Sequence, residues 1–412
     1  MKDRVLMAYP PSDIPFLPPY EEFVRLIGLS GGMAGAIRNV AIEMGKVPPD
    51  AKTLRKAFRE PVTRSVAERM KAIYESRISD SNAIDRIIEE FRPWEELQLR
   101  SNGASWLPAI RSFRDLILKD RFPESRAEQF LQTRIDAEYD FLKEIKPVVH
   151  AKTRSTADLE LTQSALKRLL QHHTFIGKEL IEEACEITRS DSGKFARNAS
   201  AEQRFWQDMR IDFYYNLLSQ ISLDVLESLN TEDITPQARE MLVTQGFVGS
   251  LAPTVDQEGN ITFPFTHLLE EWRRVFSGEE EEVLPLRRLA DSIPHPSDEQ
   301  MARLDPATRE YQDLASQARE TRKTRLKEWR SGVLPKDDQL EGFVLNLVPD
   351  QAEFRYAHFR AQLSVIWNRL IKQEVARHRD DGALYQLKEG LLFRYEDIWG
   401  NYKDQAAKTM AA

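Results

Sequence analysis

Several groups of residues in this chain have the types and spacing to do chemistry. The stretch LSGG, Leu29–Gly32, places glycines ahead of a helical pattern, which would present backbone N–H groups to an anion. A nucleotide clamp also needs a G-x-x-x-x-G-K-[ST] loop to cradle the phosphates. The chain has no such loop: Gly177-Lys178 and Gly193-Lys194 lack both the upstream glycine and the following hydroxyl residue. Ser30 therefore reads as a helix N-cap between flexible glycines. Histidines stand near carboxylates at His172-His173 with Glu179, Glu182 and Glu183, at His267 with Glu270 and Glu271, and at His378 with Glu374. Adjacent histidines on a helix point about 100° apart, and neither H-E-x-x-H nor a paired E-x-x-H occurs, so these read as structural. The single cysteine, Cys185, has acidic neighbours that raise a thiol pKa, against what a nucleophile needs.

Two basic stretches remain. Lys52, Thr53, Arg55, Lys56 and Arg59 put hydrogen-bond donors on one short segment, where Arg and Lys would reach guanine edges or phosphates and Thr either. Arg319–Arg330 holds six basic and two acidic residues. Its apolar periodicity is poor, which predicts a long exposed helix; a phosphate-binding surface is the sharper alternative.

The elements that must carry these residues are mostly helical. Residues 1–20 hold five prolines, which forbid regular helix and predict an extended arm. Residues 21–79 follow as a compact unit, and within it 34–78 divides into three helices at Lys46–Pro49 and Glu60–Val62. Residues 80–190 continue as a helical region broken at FRPWEE, SNGAS, RFPES and KPVVHAKTRST. Arg189–Ser200 reads as a polar linker or loop. Residues 201–412 form a helical body, opened by Phe205, Met209, Phe213, Leu217, Ile221, Val225 and Leu229, an apolar residue every fourth position. Phe359, Leu363, Ile366, Trp367, Leu370 and Ile371 make a second such stripe. Thr254–Phe263 predicts one β-hairpin about Gly259-Asn260. A DNA-contacting wing there is disfavoured, because Asn230–Phe263 carries one basic residue against five acidic ones.

Composition agrees. Only 17 of 412 residues are glycine, and long stretches are rich in good helix formers. The expected fold is mainly α: an N-terminal three-helix unit and a larger helical body, with at most one small β-hairpin. A net charge of −8 excludes a polycation that coats nucleic acid, but residues 34–78 alone carry ten basic and five acidic side chains. One cysteine excludes an intrachain disulfide. No stretch has the length and apolarity of a membrane span, so the expectation is a cytoplasmic protein with no membrane partner.

From Ile37 to Glu75 the sequence resembles the helix-turn-helix of Lac-type and Cro-type repressors. Ala41 and Gly45 stand where that family has a small residue and a turn glycine, with Val40 and Met44 as the apolar positions around them. Thr53, Leu54 and Phe58 fit the start and core of a second helix, and Val66, Met70 and Ile73 the helix behind it. The resemblance implies that the second helix meets double-stranded DNA through Lys52, Thr53, Arg55, Lys56 and Arg59. The function expected first is a cytoplasmic DNA-binding or regulatory protein whose acidic helical body assembles with itself or with protein partners. A helical adaptor or scaffold without nucleic-acid binding is the alternative, and an enzyme with a dispersed site a third. No catalytic residue, metal ligand or cofactor fingerprint is singled out.

Overall fold

A computed structural model describes residues 4–5, 16–26, 34–35, 38, 41–42, 45–48, 50, 52–54, 62–63, 65–66, 68, 89, 92–99, 101–107, 125–151, 153, 155–189, 199–228, 251–258, 260–276, 283–348, 351–378, 391 and 396–411. In chain order the elements are β1 (Arg4–Val5), α1 (Tyr20–Leu26), β2 (Val62–Thr63), α2 (Arg126–His150), α3 (Thr156–His173), α4 (Lys178–Arg189) and α5 (Ala199–Ser228). There follow β3 (Thr254–Val255), β4 (Ile261–Thr262), α6 (Pro264–Val275), α7 (Leu286–Asp291), α8 (Asp298–Met301), α9 (Arg309–Arg330), α10 (Asp337–Leu347), α11 (Gln351–His378) and α12 (Glu396–Ala411). The protein is mainly α, as its composition requires. The linker expected at Arg189–Ser200 is helical at both ends, Arg189 closing α4 and Ala199–Ser200 opening α5; residues 190–198 lie outside the described residues, as does LSGG.

The chain forms two compact units, one from residues 1–244 with 386–412 and the other from 245–385. In the first, α2 packs on α3 and α5, α3 on α4, and α5 on α4 and α12. The helix starts are written in sequence. Ser155 and Asp158 form a reciprocal capping box at α3. At α2, Ser125 caps its own helix through the N–H of Glu128. Asp224 of α5 adds a second cap from a distance, accepting from the Ser125 hydroxyl (2.6 Å) and the N–H groups of Arg126 (2.7 Å) and Ala127 (3.1 Å). A carboxylate there satisfies orphan donors and sits at the positive end of the helix dipole.

The sequence stripe on α5 predicts one buried face; the structure buries the helix all round. Gln207–Ser219 are buried apart from half-buried Arg210, because α2, α4 and α12 surround the helix. Its three aspartates, Asp208, Asp212 and Asp224, are interior and each anchors another segment. Asp208 accepts from the Leu391 N–H (2.8 Å). Asp212 accepts from the Phe175 N–H (2.6 Å) and pairs with the guanidinium of buried Arg134 on α2. Burial pushes the Asp212 carboxyl up, and Arg134 opposes that.

One turn along α2, Glu138 is fully buried and accepts from the Ser101 hydroxyl (2.6 Å) and the N–H groups of Asn102 (3.1 Å) and Gly103 (3.2 Å). Burial pushes its carboxyl up to about 7, against the pull of those donors toward the charged form.

In the second unit, β3 and β4 pair antiparallel, Thr254 with Thr262 and Val255 with Ile261. The hairpin thus forms where the sequence expects it. Its loop is held by Asp256, whose carboxylate accepts from the N–H groups of Glu258 (2.9 Å) and Asn260 (2.8 Å) and from the Asn260 amide (2.9 Å). The core gathers Phe265, Leu268, Trp272, Leu326, Trp329 and Phe343 from α6, α9 and α10, with ring centroids 5.3–6.0 Å apart along Trp272, Phe343, Trp329 and Phe265. Asn368 on α11 caps α6 by accepting from the Phe265 N–H (2.9 Å), and Arg360 clamps Glu271 with two bonds of 2.7 and 2.8 Å. The second stripe is buried at Leu363, Trp367, Leu370 and Ile371.

A further pair of strands is non-local: Arg4 pairs with Thr63 and Val5 with Val62. No hairpin signal announces it.

Candidate nucleic-acid interface

The N-terminal unit contains a described helix end and a described helix start. The first helix closes at Gly45, with φ +65°. The Gly45 N–H donates to the Ile42 carbonyl (2.9 Å) and the Lys46 N–H to the Ala41 carbonyl (2.8 Å), the two bonds of a Schellman ending. Glycine takes this left-handed conformation without the Cβ penalty other residues meet. Ala41 is completely buried, so a small residue lies on the packed side of that helix.

The second helix begins at Asp50. Its carboxylate accepts from the N–H and the hydroxyl of Thr53 (2.9 and 2.5 Å), and the Leu54 N–H donates to the Asp50 carbonyl (3.0 Å). This is N-capping, and the Thr53 bonds hold the Asp50 carboxyl below the usual carboxylate range. Leu54 is fully buried and Lys52 is exposed, which fixes an inner and an outer face for this segment.

Of the five residues expected to contact DNA, Lys52 is thus on the surface. Thr53 is half-buried with its hydroxyl proton given to Asp50, which leaves lone pairs as its outward offering. Arg55, Lys56 and Arg59 lie outside the described residues. Lys46, where the repressor pattern carries an apolar residue, is exposed, and so are Ile42 (57%) and Val47 (76%) on either side of the turn.

The second basic stretch occupies α9, a 22-residue helix with only Ala318, Leu326 and Trp329 buried. Part of its charge is committed within its own unit. Arg322 donates to the Ile293 carbonyl (2.7 Å) and to Asp298 (2.5 Å), Lys323 pairs with Glu320 (2.7 Å), and Arg330 with Glu270 (2.9 Å).

Among the described residues no group of three or more His, Cys, Asp or Glu side chains is placed to hold a metal ion. Cys185 is buried, and its thiol is pushed up first by that burial and also by Glu182, against the pull of Lys167. No described helix is long and apolar enough to cross a membrane.

Sequence reasoning passed over the buried ionic groups Arg134, Glu138, Asp212 and Asp224. The available signal was a charge inside an apolar repeat: Asp212 directly precedes Phe213 of the stripe, and Arg134 and Glu138 are one turn apart beside Leu131, Ile135 and Leu142. Comparison with protein-family models, with curated proteins and with solved structures finds no match for this chain.

Proposed function

We propose that the chain is a cytoplasmic DNA-binding regulatory protein. In this reading the N-terminal unit meets duplex DNA with the outer face of its second helix, while the acidic remainder of the chain assembles with itself or with protein partners. One observation carries the reading: a helix ended at Gly45 and a capped helix begun at Asp50 turn Leu54 inward and Lys52 outward. On an ideal helix continued from Lys52, Arg55, Lys56 and Arg59 would fall at about 300°, 40° and 340° from it at 100° per residue, so the four cations would share one side. Residues 34–78 are the segment where basic side chains exceed acidic ones by five, inside a chain of net −8. Cations there would displace counterions from phosphates whatever the base sequence.

A second reading has its own observation. Exposed Ile42 and Val47 flank the same turn, and apolar side chains suit a protein partner better than a phosphate backbone. On that reading the unit is an adaptor surface for an acidic protein.

The test is duplex affinity across a salt series for the wild type and for Lys52→Ala/Arg55→Ala/Lys56→Ala. The DNA reading expects salt-dependent binding whose log–log slope falls by roughly one for each phosphate contact removed. Lys323→Ala/Lys327→Ala on α9 is the control, to be compared with Lys52→Ala/Lys56→Ala, since both α9 side chains are exposed. Absence of salt-dependent binding by the wild type at low ionic strength ends the DNA reading in favour of the adaptor.

A further inference from the structure

The end of the Pro-rich arm sits in a seat made by distant parts of the chain. Phe16 and Leu17 are fully buried. The Phe16 ring lies against the Arg134 guanidinium, 5.0 Å from its centroid, and edge-on to His173 at 6.2 Å. The Leu17 carbonyl accepts from the Asn102 side-chain amide (2.7 Å), and the Pro18 carbonyl from the Trp106 indole N–H (2.7 Å). The Leu17 N–H helps draw the Glu138 carboxyl toward its charged form. Leu17 and Pro18 each precede a proline, which biases both toward extended backbone, and Pro18 and Pro19 have no N–H to satisfy. Both carbonyls of this short stretch, those of Leu17 and Pro18, therefore meet a side-chain donor of the seat.

The seat's side chains also have partners outside the arm. Glu138 is fixed by Ser101, Asn102 and Gly103, and Arg134 by Asp212. Trp106 packs on Phe213, with centroids 4.9 Å apart and the rings tilted by 58°. Preorganised donors that catch main-chain carbonyls, beside a receptacle for one aromatic side chain, are the features by which proteins bind extended Pro-containing peptides.

We propose that this seat is a binding site for an extended Phe-Leu-Pro segment, filled in cis by the chain's own arm and open to the same segment supplied in trans. The site stands apart from the nucleic-acid reading and does not rest on it. A tethered arm competes at an effective concentration on the order of millimolar, so the wild type resists exchange and a weakened arm permits it.

The experiment uses the full chain carrying Phe16→Ala/Leu17→Ala and a fluorescent peptide of the sequence DIPFLPPY, residues 13–20. Fluorescence anisotropy should show at least about tenfold tighter binding to this variant than to the wild type. Trp106→Phe added to the variant, which keeps a ring and removes the indole donor, should weaken it again. A folded variant that binds no peptide, or binds DIPALPPY or DIPFAPPY as well as DIPFLPPY, overturns the proposal. Should that variant not fold, Phe16→Ala alone, which weakens the arm less drastically, decides: a photoreactive phenylalanine at the Phe position of the peptide should crosslink within 101–107 or 130–138, and no crosslink to this folded variant overturns the proposal. Crosslinks elsewhere, or crosslinks that excess unlabelled peptide does not suppress, overturn it.

Discussion

Replacing Glu138 by Gln should remove a pH dependence of stability that the wild type carries. The Glu138 carboxyl, ordinarily near 4.5, is pushed up to about 7 in the folded chain. The gap of roughly 2.5 pH units, at about 1.4 kcal/mol per unit, amounts to roughly 3 kcal/mol. Between those two values the folded form holds a proton that the unfolded form has lost. The contribution is therefore fully present below about 4.5, falls as pH rises, and is gone above about 7. Asp212, also raised by burial, shares this sign; His173, His267 and His295, lowered by burial, have the opposite one. All four groups are present in both proteins, so the difference between wild type and Glu138→Gln isolates Glu138. The assay is urea unfolding at half-unit steps from pH 4.5 to 8, followed by tryptophan fluorescence, since Trp106 shares the seat with Glu138 and Trp94 lies 3.3 Å from the Cβ position at Gly103. Parallel stability curves for the two proteins across that range would refute the assignment of the proton to Glu138.

Three further outcomes are expected. Asp212→Ala leaves the Arg134 guanidinium buried without its partner and should cost about 3–5 kcal/mol in denaturant unfolding, whereas the pair replaced together by Met and Leu should cost far less. Asp224→Ala removes three bonds from the start of α2 and should cost about 1–3 kcal/mol, visible as faster amide exchange at Arg126 and Ala127 with α9 unchanged. Gly332→Ala should destabilise the second unit by about 1–3 kcal/mol, because Gly332 ends α9 at φ +89° and an added Cβ would meet the Phe263 ring at 2.9 Å; a thermal midpoint equal to that of the wild type would contradict this.

Much of this fold is legible in the sequence wherever a local rule decides. Gly45 ends a helix because glycine suits its backbone angle, and Ser155 with Asp158 writes a helix start in four residues. The β3–β4 hairpin is legible from its β-prone runs and turn residues, although the Asp256 carboxylate that holds its loop is not. Contacts between distant segments are not legible. The pairing of Arg4 with Thr63 has no local cause, and Asp208, Asp212 and Asp224 read as the polar side of α5 until neighbouring helices enclose it. Pro147 reads as a break, yet α2 continues to His150, where a lost N–H near the end costs little. In the basic segments, spacing alone cannot separate a cation offered to a partner from one used at home. Lys52 and Arg322 look alike in sequence, yet Lys52 is exposed while Arg322 ties α9 to Ile293 and Asp298. Thr53 reads as a donor to DNA, and the structure gives its proton to Asp50.

The central claim is that the N-terminal unit meets duplex DNA, and amide hydrogen exchange of the full chain with and without a duplex tests it most directly. Binding through the second helix should slow exchange within residues 34–68, most strongly over 50–59, and leave α2 and α9 at their free rates. Protection confined to α9, or unchanged exchange throughout 34–68 at duplex concentrations that saturate binding, would contradict the account.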